Sequence, residues 1–195
     1  MKDIDNELYE KYSAICGVDE AGRGPLAGPV YAAAVILPRG FELPGLDDSK
    51  KLTEKKREKL FDLIRDNAVA YSVATASEKE IDEINILNAT YLAMNRAIAG
   101  LAVKADFALI DGNRSTGITL PNQTVVGGDG IYSCIAAASI LAKVSRDRFM
   151  LEMAEKYPEY AFEKHKGYGT KLHYERLREH GPSEIHRLSF LKKMH

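Results

Sequence analysis

Ala14-Ile-Cys-Gly-Val-Asp-Glu-Ala-Gly-Arg-Gly-Pro-Leu-Ala-Gly-Pro-Val-Tyr-Ala-Ala-Ala-Val-Ile-Leu37 is the stretch on which the fold turns. Ala14 to Val18 is apolar and runs into Asp19–Glu20, the pattern of a strand leading to a charged tip. Residues 21–29 carry three glycines and two prolines and read as a loop. Val30 to Leu37 is an apolar run of eight residues between Pro29 and Pro38. That is too short for a typical helix and long enough for a buried strand.

Outward from this stretch, strands and helices alternate. Thr53 to Asp66 reads as a helix, with Thr53 as N-cap and Leu60, Phe61 and Ile64 on one face. Ala70 to Ala76 alternates as a strand does, and Ser77-Glu-Lys-Glu80 is a capping box opening a short helix. Leu87, Tyr91, Met94, Ile98 and Leu101 recur at helical spacing and predict a core-facing helix. Phe107 to Ile110 is a short strand ending in Asp111, and Thr124 to Val126 is another. Ile131 to Tyr157 reads as a long helix, and the remainder as helical with breaks at Gly167, Gly169 and Gly181–Pro182. This alternation predicts an α/β layer fold.

The chain has 195 residues, the size of one domain, with 45% hydrophobic and 28% charged residues. That mixture excludes a disordered tail, a collagen-like fibre and a disulfide scaffold. The eight-residue run at Val30–Leu37 is the longest apolar stretch, against about 18–20 residues for a bilayer span. The charged first dozen residues lack the apolar core of a signal peptide, so a soluble, cytoplasmic protein is expected. Cys16 and Cys134 lie far apart among apolar neighbours and read as buried reduced thiols rather than a zinc site. Charge is divided unevenly. Residues 1–142 hold 15 Lys+Arg and 20 Asp+Glu, while residues 143–195 hold 12 and 8 together with all five histidines. A basic final quarter suits a polyanionic partner, although a solvated helix face gives the same number.

Carboxylates stand at or beside predicted strand ends: Asp19 and Glu20, Asp111, and Asp129 in Gly127-Gly-Asp-Gly130. Open α/β sheets build their sites at such ends. Acids gathered there repel one another unless cations neutralise them, and oxygen ligands without Cys or His suit Mg²⁺ or Mn²⁺. Two such ions can activate water and stabilise a leaving oxygen in phosphodiester cleavage. The bland alternative for each acid is a turn residue or helix cap. Because neighbours in a strand face opposite ways, Glu20 is expected to leave the pleat to join Asp19. Gly22-Arg-Gly-Pro-Leu-Ala27 also matches the dinucleotide-binding pattern G-x-G-x-x-A. That pattern must open a helix, and the eight residues between two prolines are too few.

Gly17-Val-Asp-Glu-Ala-Gly-Arg-Gly-Pro-Leu-Ala-Gly-Pro-Val30 resembles the opening signature of type 2 ribonucleases H, the ribonuclease HII group. Asp48-Ser-Lys-Lys-Leu-Thr53, Asn85-Ile-Leu-Asn-Ala-Thr90, Leu109-Ile-Asp-Gly112, Ala136-Ala-Ala-Ser-Ile-Leu-Ala-Lys-Val-Ser-Arg-Asp147 and His165-Lys-Gly-Tyr-Gly-Thr170 follow in family order. The resemblance implies an RNase H-like α/β fold, a mixed five-stranded sheet flanked by helices. It implies a single catalytic domain over 1–195, with 160–195 as a helical substrate-contacting segment. It also implies hydrolysis on the 5′ side of ribonucleotides embedded in DNA duplexes, and of the RNA strand of RNA–DNA hybrids. The products would carry 3′-hydroxyl and 5′-phosphate ends.

By the same resemblance, Asp19, Glu20, Asp111 and Asp129 are the catalytic acids that hold two divalent cations, Mg²⁺ or Mn²⁺. Gly22, Arg23 and Gly24 would inspect the 2′-hydroxyl, and Tyr168 would pack on the sugar at the RNA–DNA junction. Ser49 and Lys50 would touch the backbone, and Ser139, Lys143 and Arg146 would present a phosphate-binding face on the long helix. The 2′-hydroxyl is what distinguishes RNA from DNA. Glycines let backbone N–H groups approach it closely. His165 is read as a backbone contact or a surface residue. The other charges of the Lys50–Lys59 run, including Arg57, are read as a solvated helix face.

The chain departs from the family at Gly127-Gly-Asp-Gly-Ile-Tyr132, where bacterial members commonly show Lys-Gly-Asp-Ala-Lys-Ser. A supporting lysine and serine are missing there. A non-catalytic hybrid-binding module is therefore the alternative reading. A monomer is expected, and Ser189-Phe-Leu-Lys-Lys-Met-His195 holds no clear clamp-binding motif.

Overall fold

The computed structural model describes residues 1–41, 44 and 52–192. Its elements are α1 (Asn6–Lys11), β1 (Ile15–Ala21), β2 (Val30–Ile36), α2 (Glu54–Asn67), β3 (Ala70–Ala76), α3 (Glu78–Ala99), β4 (Phe107–Asp111) and β5 (Asn122–Val125). After them come α4 (Ser133–Lys156), α5 (Phe162–His165), α6 (Lys171–His180) and α7 (Leu188–Leu191). The strands form one sheet in the order β3-β2-β1-β4-β5. β2 pairs antiparallel with β1 and β3, while β4 runs parallel to β1 and β5. This is the mixed five-stranded sheet flanked by helices that the sequence implied.

Strand alternation sorts the core. Cys16 and Val18 of β1 pack with Ala32 and Ala34 of β2 against Tyr91, Ala93 and Met94 of α3. Ala33 and Val35 face the other way, onto Leu60, Phe61 and Ile64 of α2 and the Ala136–Ala142 stretch of α4. Gly17 marks where α4 crosses β1. A Cβ there would stand 2.2 Å from the Cys134 carbonyl carbon and 2.4 Å from the Ile135 nitrogen. Cys16 and Cys134 are free buried thiols, each pushed up to about 12 chiefly by burial.

Local chemistry explains the helix ends. The Thr53 side chain accepts from the Lys56 amide, and the Ser77/Glu80 capping box forms with bonds of 2.8 and 3.2 Å. Inside α3, Asn85 takes a left-handed φ of 67° and breaks the helix. Its Oδ1 accepts from the Leu87 and Asn88 amides, capping a second helical run, so the short and long helices read from sequence are the two halves of α3. Leu101 is buried just beyond the helix rather than on it. β5 lies two residues earlier than predicted at its start, and Val126 is exposed. Helix α1 is an addition to the expected elements.

The C-terminal helices form a small core of Tyr160, Phe162, Leu177 and Ile185, shared with Leu26, Ala27 and Met150. Three histidines lie within it, so His165 is not a surface residue. His186 Nδ1 accepts from the Ser183 amide, which leaves its Nε2–H to donate to His173 Nε2 at 3.0 Å. His173 Nδ1–H then donates to the Tyr168 carbonyl at 2.9 Å. Each ring thus has one neutral tautomer that fits.

Burial lowers His173 and His186 from the ordinary 6.5 to about 4. Below pH 6.5 the unfolded chain takes up protons that the folded chain refuses. Their contribution to stability is therefore full above pH 6.5 and falls as the pH drops through about 4. Ring ¹⁵N shifts at pH 5.5 will show Nδ1–H on His173 and Nε2–H on His186, and imidazolium at either would contradict this network. Gly17→Ala will destabilise the protein in urea unfolding by at least about 1–3 kcal/mol, since backbone rather than a side chain must move.

Candidate active site

The register that builds the sheet also gathers the acids. β4 ends at Asp111, and its parallel pairing with β1 runs through Val18 opposite Ile110. Asp19, two residues before the end of β1, and Asp111, the last residue of β4, therefore lie side by side on neighbouring strands. β1 continues to Ala21 against β2 alone, which leaves one edge of Glu20 open. Glu20 keeps its place opposite Ala32, so it does not leave the pleat as expected. Its exposed edge position lets it line both the cavity holding Asp19 and a second one on the α3 side of the sheet.

Asp129 arrives from a different element, a 3₁₀ turn at Gly128–Gly130 between β5 and α4. Gly127 enters that turn at φ 66°, and the Gly128 amide donates to Asp111 Oδ1 at 2.7 Å, tying the turn to the end of β4. Asp19, Glu20, Asp111 and Asp129 thus line one cavity of about 400 Å³, together with Gly22, Arg57, Ser139, Lys143 and Tyr168.

Burial raises Asp19 well above the ordinary carboxylate range, and the nearby Glu20 and Asp111 charges add to the rise. A hydrogen bond from Ser139 and one from the Glu20 amide at 2.7 Å act in the opposite direction. Burial also raises Glu20, opposed by Arg23, whose guanidinium lies 3.4 Å from its carboxylate. The cavity is an acidic site short of positive charge.

Its donors are carboxylates with no Cys or His among them, which fits a hard divalent cation. Among the described residues, no three His, Cys, Asp or Glu side chains are close enough to enclose one ion. The acids thus converge on a common cavity without closing a cage, as like charges would. Magnesium at phosphoryl sites commonly takes one or two carboxylates and completes its shell with water and substrate oxygens. The open arrangement is compatible with that kind of binding.

The remaining predicted residues fall into four groups. Gly22, Ser139, Lys143 and Tyr168 line the cavity, with Lys143 also paired to Asp147 at 2.8 Å. Gly24 lies beside Tyr168, since a Cβ on it would be 3.9 Å from the ring, and Arg23 extends partly into solvent. Arg146 is a correction. It is fully buried, donates to the Ala27 carbonyl at 3.0 Å and lies under Gly22 rather than on a phosphate-facing surface. Gly22 adopts φ 92°, and a Cβ there would meet Arg146 Nε at 2.1 Å. Ser49 and Lys50 lie outside the described residues.

Sequence reasoning missed Arg57, which lines the cavity and donates to the Leu52 carbonyl at 2.5 Å. Its place one turn into a capped helix was the available signal. It also missed Arg187, whose buried guanidinium touches the glycine loop.

With this geometry in place, comparison with known proteins is informative. The family model described as Ribonuclease HII matches residues 16–193. A ribonuclease HII of Endomicrobium trichonymphae is 57% identical over 189 residues, covering 96% of this chain and 90% of that protein. The chain belongs to the ribonuclease HII family. Its enzymatic class is accordingly ribonuclease H, a hydrolase. The crystal structure of ribonuclease H2 from Pyrococcus horikoshii OT3 superposes with a TM-score of 0.74 at 28% identity, covering 90% of this chain and 93% of that one. The ribonuclease HII of Archaeoglobus fulgidus, solved in complex with PCNA, gives 0.73 at 26% identity, with 90% and 94% covered. Among the described residues, no helix is long and apolar enough to cross a membrane.

Because Asp19 and Glu20 are harder to ionise in the folded protein, folding is opposed at neutral pH and favoured as the pH falls. Asp19→Asn will therefore unfold at a higher urea concentration than wild type in EDTA at pH 7. Added Mg²⁺ will narrow that gap. A variant less stable than wild type in EDTA would show that burial of a charged carboxylate beside other acids is not the controlling strain at Asp19.

Proposed function

We propose that this ribonuclease H is a metal-dependent endonuclease that cuts 5′ of ribonucleotides embedded in duplex DNA and acts on the RNA strand of RNA–DNA hybrids. Products with 3′-hydroxyl and 5′-phosphate ends and a role in removing ribonucleotides from DNA belong to the same proposal. The observation that carries it is the shared cavity of Asp19, Glu20, Asp111, Asp129 and Tyr168, bordered by the glycine loop.

Two divalent cations, Mg²⁺ or Mn²⁺, bound by the four acids would supply activation of water and stabilisation of the leaving oxygen. The protein's own groups perform the selection. Tyr168, 43% exposed, offers a flat face to a sugar and a hydroxyl for hydrogen bonding. Gly24 carries no Cβ on its exposed side, so the backbone of the loop can approach a 2′-hydroxyl there, while the missing Cβ of Gly22 makes room for Arg146. Arg23 and Lys143 provide positive charge beside the cavity for phosphates, which position a duplex without selecting the linkage to be cut. Ser139 holds the Asp19 carboxylate through its hydrogen bond.

The direct test is an end-labelled duplex with one ribonucleotide, incubated with the protein and Mg²⁺ or Mn²⁺. A single nick 5′ of that residue is expected, and its absence with both ions would refute the proposal. Asp111→Asn will abolish cleavage while leaving duplex affinity within about threefold, because phosphate contacts dominate affinity. Tyr168→Ala will lower cleavage at a lone ribonucleotide more than in a four-ribonucleotide run. Equal losses on both substrates would remove Tyr168 from the reading role.

A further inference from the structure

We propose that Arg187 is a positioning residue for the glycine loop, holding the Gly22 and Arg23 carbonyls inward so that the N–H groups of Arg23 and Gly24 are presented outward. This inference rests on the reading of the loop as a substrate contact. Arg187 is fully buried just before α7. Its Nη2, Nη1 and Nε donate to the carbonyls of Gly22, Arg23 and Gly28 at 2.6, 2.9 and 2.8 Å. Its own amide donates to the Leu26 carbonyl at 2.8 Å, and Arg146 takes the Ala27 carbonyl. One side of the loop is thereby drawn into the protein.

Peptide planarity supplies the next step. In a trans peptide the C=O of one residue and the N–H of the next point in opposite directions. Carbonyls of Gly22 and Arg23 that point at Arg187 therefore turn the N–H groups of Arg23 and Gly24 away from it. Both of these residues are exposed, and Gly24 neighbours the Tyr168 ring.

The same segment holds Tyr168 indirectly. Ile185 accepts from the Gly28 amide, and His186 bonds to His173, which donates to the Tyr168 carbonyl. Residues 185–187 therefore hold both parts of the reading surface.

The choice of arginine is informative. Burying a full charge is costly, and an apolar residue of similar volume often fills such a space at less cost. What the guanidinium adds is a rigid planar fork that can reach several carbonyls at once. Lysine would keep the charge and lose that geometry.

Arg187→Lys and Arg187→Gln are to be compared with wild type on the duplex containing one ribonucleotide. Both are expected to lower kcat by about 100-fold, the scale of a misplaced catalytic constellation, with KM changed by less than about threefold. Hydrogen exchange over residues 22–28 should accelerate while β1, β2 and β4 stay protected. Wild-type kcat in folded Arg187→Lys, or a rise in KM with kcat unchanged, would overturn the proposal.

If neither variant folds, Asp82→Ala carries the test from outside the core, because Asp82 anchors the Leu188 and Ser189 amides next to Arg187 at 2.9 Å each. It should lower kcat by about tenfold, and full kcat would reject the positioning role. If the wild-type enzyme itself fails to nick, the functional reading fails. The exchange arm then decides this inference alone, and unaltered exchange at 22–28 in Arg187→Lys, or in Asp82→Ala if neither Arg187 variant folds, overturns it.

Discussion

The backbone-to-backbone approach of α4 to β1 at Gly17 is the constraint on which the site depends. With no side chain at that position, the first turns of the helix settle directly on the central strand. Two residues further along β1, on the same face, Asp19 meets Ser139 one turn and a half deeper into α4. The parallel pairing with β4 brings Asp111 alongside, and the turn that precedes α4 brings Asp129. A side chain at Gly17 would separate the two elements that supply these groups.

The cavity produced in this way conflicts with stability. Packing places Asp19 out of water beside other acids, and its ionisation is opposed by the same contacts that position it. A cation or a proton relieves that opposition. Sites that hold charge for chemistry commonly carry this kind of tension, and the surrounding core compensates for it. The glycine loop shows the other side of the arrangement, since it is held by two buried arginines: Arg187 is matched by three backbone oxygens, and Arg146 by one, with its Nε and Nη1 unpartnered.

Much of the fold was legible because its signals are local. Apolar runs ending at prolines marked β2, the Ser77 and Thr53 caps marked helix starts, and the spacing from Leu87 to Ile98 marked the long half of α3. That the four acids share one cavity was legible from their placement near strand ends and family resemblance together. What sequence could not show depended on depth and partner. Lys143 and Arg146 are one turn apart on α4, yet one lines the cavity and the other lies beneath the loop. Glu20 needed no departure from the pleat because β4 stops short of it, a fact of register rather than of residue type. His165, His173 and His186 carried no metal spacing, and their common burial emerges only when α5, α6 and the segment before α7 fold together.

The bond from Arg187 to Gly22 joins positions 165 residues apart. A ribosome releases the glycine loop well before the residues that brace it, while domains fold largely as units during or after synthesis. The sheet can therefore assemble around its acids before the loop has its final shape. An emerging chain can hold its carboxylates in place while the loop still lacks its brace. A chain cut before Arg187 would therefore keep all five strands of the sheet and lose three of the bonds that shape the loop.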